Sequence, residues 1–193
     1  MSSDIDAGAA FGRAKDVLLK PKETLESMRG ESQSMQSIIT YTAIVAIPTL
    51  IGLIIGFGVV GVGGFGYRIR VSFGYALTSG IVQYVFAIVG VIILGYIINA
   101  LAPSFSSDKD LIQAMKVAAY GSTPGLIAGI LYILPALSPL VLLAGLYGLY
   151  IMYLGLPSLL GTPEDKKVTY FVVILVVYII ISAVVGQIGG LII

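Results

Sequence analysis

The chain has no cysteine, no histidine and no tryptophan. Without cysteine there is no disulfide and no thiolate chemistry. With histidine missing as well, the usual donor sets for zinc and haem are gone, so no metal and no cofactor is expected. Charge is scarce too: Asp, Glu, Lys and Arg make up 11% of the 193 residues, against about 25% in a soluble domain. The net charge of +1 offers nothing to nucleic acid. What fills the space is apolar: 58% of the residues are hydrophobic. This is the composition of an integral membrane protein, with the lipid bilayer as its first partner.

The stretch Ala118 to Leu160 carries no charged side chain. As one helix it would be about 65 Å long, roughly twice the hydrocarbon thickness. Two prolines, Pro135 and Pro139, mark the break and bias Leu134 and Ser138 away from helix. The reading is a tight hairpin of two membrane helices. Around it the expected fold is all-α: a polytopic membrane helix bundle of five transmembrane helices, residues 36–193, preceded by a cytoplasmic N-terminal segment, residues 1–35. The spans fall at about 38–62, 73–101, 111–134, 140–160 and 168–193.

Residues 1 to 35 lack the apolar core of a signal peptide. They hold five Lys/Arg and six Asp/Glu. Phe11, Ala14 and Leu18 share one face of an amphipathic helix, with Ala10 and Val17 beside them. Such a helix suits the membrane interface, although the acids offset electrostatic attraction to anionic lipid. Docking on the protein itself, or on a cytoplasmic partner through residues 10–30, is the other reading. Pro21 suits the first position of a second short helix.

Small residues crowd the spans. Gly52 and Gly56 form a small-xxx-small pair, Gly58 to Gly66 follow, and Gly121, Gly125 and Gly129 recur every fourth residue. Such stripes serve close packing within the chain or a homo-oligomer. Ser107 with Asp110 reads as a capping box for the third span. Gly161 suits a helix stop, with Thr162 as N-cap and Pro163 at the first position of the fifth. The acidic pairs Asp108/Asp110 and Glu164/Asp165 read as helix-start carboxylates rather than a cation site.

With the N-terminus inside, the cytoplasmic face holds nine Lys/Arg and the outer face only Arg68 and Arg70. That fits the positive-inside rule and puts the C-terminus outside the cell membrane.

No Asp, Glu, Lys or Arg lies deep in a span, which argues against an ion-coupled carrier. A hydrolase needs a nucleophile with a base in reach. Here a Ser–Lys pair is conceivable only at the cytoplasmic face, with Ser106 or Ser107 beside Lys109. The protein is therefore not expected to be an enzyme. An alternative is a transporter or channel for a small or lipid-like solute. Its path would use the groove between spans 3 and 4, with Gln83, Thr123, Tyr147 and Tyr150.

An amphipathic helix and the turn Leu18-Leu19-Lys20-Pro21-Lys22-Glu23 precede the spans, and the third span opens with Lys116-Val-Ala-Ala-Tyr120-Gly121-Ser-Thr-Pro124. The order of these motifs resembles the Yip1 domain family over about residues 10 to 193. In that family five spans follow a cytoplasmic N-terminus, and the third has a Tyr/Gly-rich stretch ending in Pro. The eukaryotic signature Asp-Leu-Tyr-Gly-Pro is absent, which points to a prokaryotic branch. The resemblance implies a membrane-organising or trafficking-type scaffold. It carries over onto Pro21, Lys116, Tyr120, Gly121 and Pro124 as interaction candidates.

Overall fold

The computed structural model describes residues 6–61 and 70–192, with side chains through Ile180. Gly63, Gly64, Gly66 and Arg68, and the side chains of Ser182 and Gln187, lie outside the described set. Among the described residues there are seven α-helices and no strand.

Two short helices come first. Helix α1 (Ala7–Leu19) starts on Asp6, whose carboxylate accepts from the Ala9 N–H at 2.7 Å. Helix α2 (Pro21–Met28) starts with Pro21, which lacks the N–H that an opening turn leaves unpaired anyway. Helix α3 (Met35–Ile55) is capped by Ser34 and ends in a π-turn, Gly56–Val60. Helix α4 (Phe73–Leu101) is capped by Ser72 and is about 43 Å long. A 3-10 turn follows at Ala102–Phe105. Helix α5 (Leu111–Ala128) runs into a second 3-10 turn, Gly129–Ile133. Helix α6 (Ser138–Leu160) stops at Gly161, whose φ of 62° is the left-handed cap that glycine adopts freely. Helix α7 (Glu164–Ile192) completes the chain.

Among the described residues, three stretches are long and apolar enough to cross a membrane: Met35–Val60, Phe73–Phe105 and Pro135–Leu160. The chain is a membrane-integral helical protein. Helix α5 is more polar, carrying Gln113, Lys116, Ser122 and Thr123, and it sits at the centre against α3, α4 and α6.

Several local expectations change. The expected third span, α5, loses its α form after Ala128, six residues before Leu134. There the Thr49 hydroxyl donates to the Leu126 carbonyl at 2.6 Å, supplying the donor that the tightened turn withdraws. Leu134 is extended, as a residue before proline should be, but Ser138 stays helical. Its hydroxyl donates to the Pro135 carbonyl at 2.7 Å and closes the turn. The α5 cap is Asp110, which accepts from the Ile112 and Gln113 N–H groups, and not Ser107. Nor does Thr162 cap α7. It donates to the Leu156 carbonyl at 3.0 Å, so Ser107 is left to donate to Thr162 at 2.9 Å.

Glycines set the interhelix distances. A Cβ on Gly52 would stand 2.1 Å from the Gly129 carbonyl oxygen, and one on Gly56 1.9 Å from that of Tyr132. A Cβ on Gly148 would meet the Gly121 carbonyl oxygen at 2.3 Å. These small-residue faces are spent inside the chain, between α3, α5 and α6.

Candidate functional site: the polar stripe of α5

Gln113, Lys116, Tyr120 and Thr123 follow one another at intervals of three, four and three residues. That spacing places them on one face of α5. All four reach toward the N-terminal segment or α3. Gln113 Nε2 donates to the Arg29 carbonyl at 3.0 Å. Lys116 is fully buried, and its ammonium donates to the Met28 carbonyl at 2.6 Å and the Glu31 carbonyl at 2.8 Å. Tyr120 donates to Gln33 Oε1 at 3.1 Å and accepts from Arg13 at 3.3 Å. Thr123 bonds Tyr41 of α3 at 2.8 Å, and the Tyr41 and Tyr120 rings meet edge to face at 4.9 Å.

The chemistry follows from α2. A helix leaves its last carbonyls unpaired, and a lysine ammonium there satisfies them and favours the negative end of the dipole. Lys116 does this for α2 from another helix. Arg13 of α1 adds an ion pair to Glu31 at 2.6 Å. Burial disfavours its charged form, but Tyr120 and then Glu31 outweigh that and hold its pKa above the ordinary value. Elsewhere Arg29 pairs with Asp108 at 3.1 Å, and the Tyr147 hydroxyl donates to the Leu18 carbonyl at 2.8 Å.

The face that docks is not centred on Phe11. Ala10, Ala14 and Val17 of α1, with Leu25 and Met28 of α2, are buried against the bundle, while Phe11 and Leu19 point outward. Small side chains let α1 approach closely, whereas the large ones face away.

A family model described as "Yip1: Yip1 domain" matches residues 15–186, most of the chain. The chain belongs to the Yip1 domain family. It is similar to the inner membrane protein YohC of Escherichia coli (strain K12), with 25% identity over 162 residues, 78% of this chain and 80% of the relative. YohC of Escherichia coli O6:H1 (strain CFT073) matches to the same extent. No solved structure matches.

In this Yip1 chain the candidate residues take separate places. Lys116 and Tyr120 hold the N-terminal segment, Pro21 turns α1 into α2, and Gly121 and Pro124 lie against α6 beside Gly148. Gln113 and Arg13 belong with them and were not singled out in the sequence. Gln113 carries only its position on the stripe as a signal.

The solute-path residues do not converge. An apolar groove of about 600 Å³ does open between α3, α4, α5, α6 and α7, floored by Gly121, Gly125 and Gly145. Gln83 is exposed on α4 and lines no part of it. Thr123 is buried against Tyr41, and Tyr147 and Tyr150 stack on each other at 6.0 Å on another face of α6. The Ser–Lys pair also differs from expectation: Lys166, not Lys109, meets Ser106, donating at 2.6 Å. Among the described residues no three acids converge as a metal site. Asp110 caps α5, Asp108 pairs with Arg29, and Glu164 pairs with Lys167.

Proposed function

We propose that this protein is a non-enzymatic, membrane-organising scaffold of five spans. Its N-terminal helical hairpin is fastened to the bundle and presents a charged face to a protein partner. The observation that carries the reading is the use made of Lys116. The lysine that opens the Tyr/Gly-rich stretch is buried and occupied by two backbone carbonyls, so it fastens structure and is not free to do chemistry. The outward side of α1 and α2 carries Lys15, Asp16, Lys22, Glu23 and Glu26, all exposed. The nine-to-two division of basic residues supports a cytoplasmic N-terminus and an outer C-terminus in the cell membrane, and the YohC relatives are named as inner membrane proteins.

A carrier for a lipid-like solute is the second reading, favoured only by the apolar groove floored by the α5 and α6 glycines. The expected path residues lie apart from it.

The test is in-membrane crosslinking followed by affinity purification. It compares the full chain, Lys116→Met, and a chain lacking residues 1 to 30, after equal insertion is verified. One protein recovered with the full chain and lost from both variants is the expected result. Recovery of no protein from any of them, with lipid alone co-purifying, would overturn the scaffold.

A further inference from the structure

The docked hairpin fixes how deep its charges lie, and this depth differs between faces of the bundle. Tyr147 lies nine residues beyond Ser138, the first residue of α6, or about 14 Å along the axis. Its hydroxyl bonds the Leu18 carbonyl, and tyrosines on a helix lean toward its N-terminus, so Leu18 lies no farther along than this. Two residues on, Lys20 faces Glu23 at 3.7 Å, with both side chains about three-quarters exposed. A second observation gives the same limit. On α6 the exposed apolar surface runs from Leu140 through Leu143 and Leu146 to Tyr150. The next residues on that face, Leu154, Pro157 and Ser158, line a cleft of about 480 Å³. Lys22, Glu26, Arg29, Glu164 and Lys167 complete its walls.

The α6 face therefore offers lipid about 15 Å of apolar helix, and about 20 Å with the Leu134–Leu137 turn added. A bilayer core is about 30 Å thick. The α4 face is different. Its exposed strip begins at Phe73, the first residue of the helix, and from Leu77 through Ile81, Val85 and Val89 to Tyr96 it covers about 28 Å.

We infer that the α6 face, shortened by the hairpin seated on it, thins the adjoining leaflets, while the α4 face matches an unstrained bilayer. The occupant of the α6 face is phospholipid with short or disordered acyl chains. One protein then joins regions of different thickness, since hydrophobic mismatch is relieved by thinning the bilayer. This inference shares with the scaffold reading only the docked hairpin; it needs no protein partner.

The chain has no tryptophan, so single reporters are clean. Leu143→Trp on α6 and Val85→Trp on α4 each replace an exposed apolar side chain. The purified full-length protein is reconstituted into phosphatidylcholine vesicles with monounsaturated chains of 14, 18 or 22 carbons. Competition with brominated lipid of each length gives the relative binding at each reporter. At Leu143→Trp the 14-carbon lipid is preferred over the 22-carbon lipid by about threefold or more. At Val85→Trp the preference peaks at 18 carbons. Removing residues 1 to 30 shifts the α6 optimum toward 18 carbons without moving the α4 optimum. The same chain-length dependence at both reporters, or none at either, overturns the inference whether or not a protein partner is found.

Discussion

The ammonium of Lys116, on α5, donates to the carbonyl of Met28 at the end of α2, 2.6 Å away and 88 positions earlier in the chain. The same ammonium takes the Glu31 carbonyl at 2.8 Å. The Met28 carbonyl also accepts from the Glu31 N–H at 3.2 Å, so the ammonium adds a charge-assisted bond from the bundle to the turn that closes α2. Docking and capping are one event.

Replacing Lys116 by Met keeps the bulk of the side chain and removes the donor. The Met28 and Glu31 carbonyls lose a charge-assisted partner, which costs about 2 kcal/mol. The effect should be local. Hydrogen exchange should quicken at the α1 and α2 amides while the α4 amides keep their protection. Lys116→Arg should restore part of the loss only if the longer fork finds room among fully buried neighbours.

Two glycines of α6 separate packing from permissiveness. Gly148→Ala forces a Cβ to within 2.3 Å of the Gly121 carbonyl oxygen, a backbone atom that moves only if the helices part. Overpacking of this kind costs about 1–3 kcal/mol. Gly145 has open space where its Cβ would stand. Gly145→Ala should therefore be neutral or slightly stabilising, because alanine is the better helix former. Thermal aggregation in detergent should rank them Gly148→Ala, wild type, Gly145→Ala, from least to most stable.

Asp110→Ala removes the acceptor for the first amides of α5 and should cost about 1 kcal/mol. Ser107→Ala leaves that cap intact. Its effect should show instead at the Thr162 corner, where the Ser107 and Thr162 hydroxyls meet. Amide exchange at Ile112 and Gln113 distinguishes the two: it should quicken in Asp110→Ala alone.

Tyr147→Phe removes the hydroxyl that holds the Leu18 carbonyl, at a site open enough for lipid or water to intrude. A net loss of about 0.5–1 kcal/mol is expected. Increased exchange should be confined to the end of α1. A loss spreading through α5 would mean that Tyr147 does more than fasten the hairpin.

Much of this architecture is legible in the sequence because membrane helices announce themselves by length and hydropathy. Helix α4 runs from Phe73 to Leu101 because a capping serine precedes it and Pro103 follows. What Lys116 holds is not legible. Its partners are backbone carbonyls, which every residue has and which no motif marks. Ser107 and Asp110 are both able caps, and three-residue spacing cannot tell which side chain a neighbouring loop will claim. Gln83 and Phe11 show a related limit. Periodicity assigns residues to a face, but which face meets protein and which meets lipid depends on where the other helices stand. The small α1 face of Ala10, Ala14 and Val17 docks because it permits close approach, although Phe11 is the more hydrophobic.

The measurement that tests the central claim most directly is hydrogen exchange across residues 7–28 in the full-length protein in lipid bilayers, with Lys116→Met alongside. If the α5 stripe fastens the hairpin, amides from Val17 to Met28 are protected in the wild type and exchange at least about tenfold faster in the variant, the factor that a loss of about 1.4 kcal/mol brings. Equal exchange in the two proteins, whether fast or slow, would contradict it.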